Sequence, residues 1–294
     1  MNRRAFAQRL VVSVPALVAL SSVANDVHAQ QAGQQAPPPP TPPAGRGQFD
    51  GSPVGDPLPG QKWRAHDRSR PQPRKVVPGQ PLPTPAAPSD AIVLFDGKDL
   101  SKWTGGGRGG VTEPRWKVEN GYVELVPGGG SLTTKESFGD IQLHVEWMTP
   151  TGADASRVGQ FRGNSGITFM GQYEVQVLSS YDNPTYADGG AGGIYGLYPP
   201  MVNPCLPEGQ WNTYDFVFEA PVFEQDKVVK RACITLFFNG LVVHNRAELL
   251  GATAVLPLAV YKPHAAELPL TLQGHAGPAR YRNIWVRRLK GYDA

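Results

Sequence analysis

From residue 91 onward the chain alternates apolar and polar positions in short runs separated by turn residues, the period-2 signature of half-buried strands. Two of the breaks are Asn-Gly: Asn120-Gly121 follows Trp116-Lys-Val-Glu, and Asn239-Gly240 follows Ile234-Thr-Leu-Phe-Phe. Asn-Gly between alternating apolar runs is the strongest short hairpin signal. The same alternation predicts strands over residues 141–148, 167–170, 173–178, 213–219, 268–272 and 281–289. No long segment carries a 3.6-residue period, and residues 246–250 read at most as one helical turn. Residues 91–290 therefore read as one all-β domain, a β-sandwich or jelly roll, of a size such folds often reach.

The sequence ahead of residue 91 differs in kind. Arg3, Arg4 and Arg9 precede an apolar run from Leu10 to Leu20, and Val27-His28-Ala29 supplies small residues for cleavage. Residues 1–29 are expected to be a signal peptide, because the apolar run falls short of the ~20 residues a bilayer span needs. Arg3-Arg4-Ala5-Phe6 resembles a twin-arginine signal, which implies export after folding. The protein is thus expected in the periplasm or outside the cell, without a transmembrane segment. Residues 30–90 hold 16 of the chain's 30 prolines and are expected to form an extended or disordered linker, since proline cannot sustain hydrogen-bond ladders.

Charge changes the picture only by exclusion. The whole chain is formally +3, but residues 91–294 carry 18 Lys and Arg against 20 Asp and Glu. The excess of positive charge belongs to the leader and to Lys62, Arg64, Arg68, Arg70, Arg74 and Lys75 of the linker. A slightly acidic domain does not point to nucleic acid. Cys205 and Cys233 are the only cysteines. In an exported protein they could form a disulfide worth about 3 kcal/mol for a loop of that length, or remain separate thiols. No histidine stands near Cys205 in a pattern that would activate a nucleophile.

Candidate chemistry centres on residues 173–178. Tyr173, Val175 and Val177 share one face of this strand, and Glu174, Gln176 and Leu178 share the other. A carboxylate and an amide two residues apart lie about 6.5–7 Å from each other along a strand. That spacing suits an acid or base beside a neutral hydrogen-bonding group, as sugars require. It equally suits the wet face of an antiparallel sheet.

The motifs form a series. Leu94-Phe-Asp-Gly-Lys-Asp-Leu-Ser-Lys-Trp103 resembles the opening of the 3-keto-disaccharide hydrolase family. Gly163-Asn-Ser-Gly166, Tyr173-Glu-Val-Gln176, Ile194-Tyr-Gly196, Gly209-Gln-Trp-Asn-Thr-Tyr214, Asn239-Gly240 and Tyr281-Arg-Asn-Ile284 are similar to its later blocks, in the family's order. The resemblance covers about residues 92–289. It implies a concanavalin-like jelly roll, two curved antiparallel sheets whose concave face binds carbohydrate, and cleavage of glycosidic bonds in 3-keto sugars. Two positions depart from the family's pattern: Ser179 and Gly274 stand where acids are expected.

Ketone-assisted cleavage needs a base at the C2 proton, a donor or metal at the enolate oxygen and an acid at the departing oxygen. Glu174 is the candidate base, and His275, in a late loop, the candidate acid. Asn164 and Gln176 are candidate orienters of the sugar, although Asn164 also suits a turn cap. Tyr195, in a Gly-rich loop, is a candidate sugar contact. Arg157 and Arg162 flank the asparagine turn and could steer an oxyanion. His144 and Glu146 alternate along one strand; bordering residues 173–178, they would line the same groove as candidate ligands for a divalent ion. Trp211, at a strand entry, reads as core before it reads as a sugar platform. Two rivals stand beside this reading. A retaining glycosidase needs two carboxylates about 5–5.5 Å apart, and the face of Glu174 continues with Gln176 and Leu178. A non-catalytic carbohydrate-binding module would use the same face without a tuned base.

Overall fold

The computed structural model describes residues 53–79, 86–107, 110–152, 158–275 and 277–291. The expected leader, the linker residues 30–52 and 80–85, and Arg157 lie outside the described residues. Among the described residues no helix is long and apolar enough to cross a membrane.

In chain order the strands are β1 Arg74–Lys75, β2 Ile92–Phe95, β3 Trp103–Gly107, β4 Gly110–Thr112, β5 Lys117–Glu119, β6 Tyr122–Glu124, β7 Ser131–Phe138, β8 Ile141–Met148, β9 Ser165–Phe169, β10 Tyr173–Val177, β11 Val202–Asn203, β12 Asn212–Glu219, β13 Val222–Glu224, β14 Lys227–Lys230, β15 Cys233–Phe238, β16 Leu241–Glu248, β17 Leu268–Leu272 and β18 Arg280–Arg288. One sheet runs β10-β9-β17-β7-β3-β4. The other runs β16-β15-β12-β8-β18-β6-β5, with β2 also on β18. The described pairings within both are antiparallel. Their inner faces meet through Phe169, 4.5 Å from Phe218 and 5.1 Å from Phe216 between ring centroids. Leu132, Leu272, Val175, Leu143, Val145 and Tyr214 fill the same core. This is the expected all-β sandwich.

Local turn chemistry was read correctly. Asn120, Gly121, Asn239 and Gly240 all have positive φ, between 48° and 78°, as a two-residue type I′ hairpin requires. Residues 246–250 are not a helical turn. β16 extends to Glu248, with register shifts against β15 and Arg246 at φ 45°; a bulge imitates a helical break in the pattern. Both cysteines are buried free thiols.

Residues 53–79, expected as part of an extended or disordered linker, are packed against the domain. These residues form an arm that lies on the domain: Arg74–Lys75 pair in parallel with Val202–Asn203, and Leu58, Ala65 and His66 are buried. Lys75 of the basic cluster forms an ion pair with Asp182 at 2.5 Å. Proline removes ladder donors but leaves side chains free to pack.

Candidate active site

Tyr173, Val175 and Val177 point into the core, so Glu174 faces outward from the six-stranded sheet. Register extends its row across that sheet. Glu174 stands opposite Thr168, Thr168 opposite Thr271, Thr271 opposite Thr133, and Thr133 opposite Thr104. Directly opposed residues share a face, so one carboxyl is followed by four hydroxyl-bearing side chains. Thr133 and Thr271 are 3.2 Å apart at their hydroxyls. On the other side of Glu174 the chain returns as a pseudo-strand: Ile194 bridges Val175, and Tyr195 N–H donates to the Glu174 carbonyl at 3.1 Å. Tyr195 therefore joins the row as the immediate neighbour of Glu174.

The Glu174 side chain leans over Gly166, where an added Cβ would lie 2.4 Å from Oε1. Gln273 Nε2 approaches Oε2 at 3.4 Å. The side chain keeps partial exposure, yet protein packs closely around its carboxyl, and that desolvation raises its pKa to about 7. Burial pushes Tyr195 up to about 12, opposed by its hydrogen bond with Tyr186; the two hydroxyls are 2.7 Å apart. Near pH 7 the row thus offers a carboxyl poised between its two forms beside a protonated phenol.

Asn164 and Gln176 do not reach into this row. Both are buried, and their amide nitrogens donate to the Gln160 side-chain oxygen at 3.3 and 3.0 Å. Gln160 in turn donates to the Gly189 carbonyl at 2.6 Å. The three amides form a layer that fixes the 186–196 loop from beneath; Asn164 also donates to the Gln160 carbonyl at 2.9 Å, in keeping with the turn-cap alternative, while Gln176 is buried rather than solvated. Arg162 donates to Glu208 at 2.6 Å. His275 follows Gln273 by two residues and lines a cavity of about 390 Å³ with Gly106, Gly130, Gly274 and Arg115; the residue is exposed, yet desolvation by the surrounding protein lowers its pKa.

The family model for the 3-keto-alpha-glucoside-1,2-lyase-like domain matches residues 90–287. The chain belongs to this family. A "putative glycosyl hydrolase" from Parabacteroides distasonis ATCC 8503 is 39% identical, with a TM-score of 0.66 over 78% of this chain and 99% of its own. A second protein of that description from the same organism is 18% identical, with a TM-score of 0.51 over 68% of this chain and 94% of its own, a likeness of fold. No curated protein matches. Membership of the 3-keto-alpha-glucoside-1,2-lyase-like family places the chain among carbohydrate-active domains.

Both departures from the family pattern have local structural accounts. Ser179 donates to Glu208 at 2.8 Å, on the same oxygen that Arg162 engages, so a carboxylate reaches that spot from another loop. At Gly274 an added Cβ would lie 1.8 Å from the Gly130 carbonyl oxygen; any side chain there requires the backbone to move.

His144 and Glu146 are corrected in position. β8 lies in the other sheet, between β12 and β18, and its core face carries Leu143, Val145 and Trp147. The two side chains point away from the sandwich, on the far side from Glu174. His144 Nδ1 is 2.6 Å from Asp215, and Nε2 lies 3.6 Å from Glu146, an ion-pair contact too long for a hydrogen bond. Trp285 stacks on the imidazole, while Arg282 and Asn283 donate to Glu146 at 2.6 and 3.0 Å. Burial works against charging His144, but the contacts with Asp215 and Glu146 prevail and raise its pKa to about 9. Burial likewise opposes ionising Glu146, yet its partners hold it down at about 2. Among the described residues no group of three His, Cys, Asp or Glu is disposed to hold a metal ion. Trp211 is not core either; it is half-buried, with the Arg282 guanidinium 4.1 Å over its ring.

Sequence reading missed the threonine row and the roles of Gly166, Gln273, Gln160 and Tyr186. Threonine at alternate strand positions reads as strand propensity, and only inter-strand register turns four of them into one surface.

Proposed function

We propose that this protein cleaves the glycosidic bond of 3-keto-glycosides or 3-keto-disaccharides by ketone-assisted elimination, with Glu174 as the base. The observation that carries the reading is the Glu174 carboxyl, packed over Gly166 and against Gln273 beside Tyr195 at the end of a row of neutral hydroxyls suited to sugar; that desolvation raises its pKa to about 7. The C3 ketone acidifies the C2 proton. Glu174 takes that proton, the electron pair moves into the C2–C3 bond, and the ketone oxygen gains negative charge. Tyr195 accepts from Tyr186 and turns its own proton toward that oxygen. Collapse of the enolate expels the C1 oxygen, to which His275 delivers a proton, and water then adds to the unsaturated ketone or the ketone departs. Arg162, Asn164 and Gln176 act by holding the surrounding loops. The leader supports export, and we place the reaction in the periplasm or outside the cell.

Product analysis with a 3-keto-disaccharide and its unoxidised parent tests this. Cleavage of the keto form alone is expected, with Glu174→Gln about 10²–10⁴-fold slower and still folded. Equal cleavage of both sugars would overturn the mechanism. Binding without cleavage would assign the row to a carbohydrate-binding module.

A further inference from the structure

The arm delivers a histidine to the back of this site. His66 is fully buried although it precedes the family domain by more than twenty residues. Its backbone N–H donates to Asp188 Oδ2 at 3.0 Å, and its Nε2 is 2.8 Å from the Val255 carbonyl. Its ring meets Tyr186 edge-on at 4.5 Å and Tyr195 at 5.1 Å between centroids. Three chain segments converge there: the arm, the 186–196 loop and the 253–255 loop, whose Thr253 hydroxyl accepts the Glu174 N–H at 2.9 Å.

Two further features show that the placement is specific. His66 has φ 61°, a left-handed conformation that non-glycine residues adopt at a cost and that persists where the surroundings impose it. Asp188 is a fully buried carboxylate that His66 of the arm meets twice: through its main-chain amide on Oδ2, and through its imidazole Nδ1 at 3.8 Å from Oδ1. A buried carboxylate left without hydrogen bonds is strongly unfavourable, so withdrawal of the arm unsettles the loop that bears both tyrosines. Tyr186 cannot adjust freely, since an added Cβ at Gly189 would lie 2.0 Å from its ring.

We propose that His66 is a positioning residue for the Tyr186–Tyr195 pair, so that a segment outside the family domain completes the active site. The proposal rests on the role given above to Glu174 and Tyr195. His66 does not touch substrate; it acts by fixing the direction of the Tyr195 hydroxyl.

The test uses the full chain with His66→Ala, His66→Gln, Tyr195→Phe and the His66→Ala/Tyr195→Phe double variant. His66→Ala is expected to lower kcat on a 3-keto-glycoside about tenfold, with KM within about threefold, because misplacing a group costs turnover more than binding. His66→Gln, which keeps a donor for the Val255 carbonyl, is expected to recover part of the loss. The double variant is expected to be no slower than Tyr195→Phe alone, the signature of two residues acting through one group. Losses that multiply, or wild-type kcat in His66→Ala, would overturn the proposal and leave the proposed reaction standing. Should His66→Ala not fold, His66→Gln with Tyr195→Phe supplies the same cycle. If the wild-type protein cleaves no 3-keto-glycoside, the proposed reaction fails, and amide hydrogen exchange decides the positioning role separately. Faster exchange at Gly189, Gly193 and Tyr195 in the His66 variants supports it, and unchanged exchange overturns it.

Discussion

At Gly166 the absence of a side chain is what lets Glu174 lie where it does, because an added Cβ would stand 2.9 Å from the Glu174 Cγ and Cδ as well as 2.4 Å from Oε1. The obstacle is the end of a flexible side chain, so Gly166→Ala is expected to fold, with a stability change of about 1 kcal/mol. Turnover is expected to fall about 10²-fold, since small displacements of a reacting group are costly; steady-state kinetics beside a urea titration check both halves. The Glu174 carboxyl also has a sign that stability measurements reveal. Its folded pKa of about 7 lies above the ordinary 4.5, so the fold prefers its neutral form, and the destabilisation grows as pH rises from about 4.5 through 7. Glu174→Gln is therefore expected to match the wild type near pH 4.5 and to exceed it by about 1–3 kcal/mol at pH 8, measured by denaturant unfolding at the two pH values. With Glu174 ionised as base and His275, whose pKa lies below its ordinary value, protonated as acid, kcat/KM is expected to be a narrow bell close to neutral pH.

Among the elements, β8 separates structure from chemistry most clearly. His144 and Glu146 are charged and buried, yet they sit across the sandwich from the threonine row. His144→Ala leaves Glu146 without one of its cationic partners and is expected to cost about 3 kcal/mol, with turnover per folded molecule unchanged. The His144 pKa is raised to about 9, so its charge stabilises fully below about 6.5 and is lost as pH rises through 9. The variant should lose that slope, which thermal melts across the range will show. Period 2 told correctly which residues of this strand share a face, but a period carries no information about which sheet a strand joins; that depends on its pairing with β12 and β18, more than sixty residues away. The hairpins were legible because the demand for positive φ at Asn120-Gly121 and Asn239-Gly240 is met within two residues. Glu174 was legible as the odd acid on a strand face. Its tuning was not, because desolvation comes from Gly166, Gln273 and the 194–195 return, none of them its sequence neighbours.

For the whole molecule, the arm has a consequence for the order of events in folding. Its partners are Asp188, Val202, Asn203 and Val255, so the segment made before the domain cannot find its place until nearly all of the domain exists. Contacts of such long sequence separation, like the β2–β18 pairing within the sandwich itself, carry a loop-closure cost that nearer contacts must first reduce. Its prolines suit that delay, because a proline-rich chain has little ability to enter a ladder or helix of its own while it waits. Until the arm docks, the Tyr186–Tyr195 pair lacks the His66 ring behind it, so on the role proposed for His66 the site is finished by a segment that the strands of the sandwich do not include.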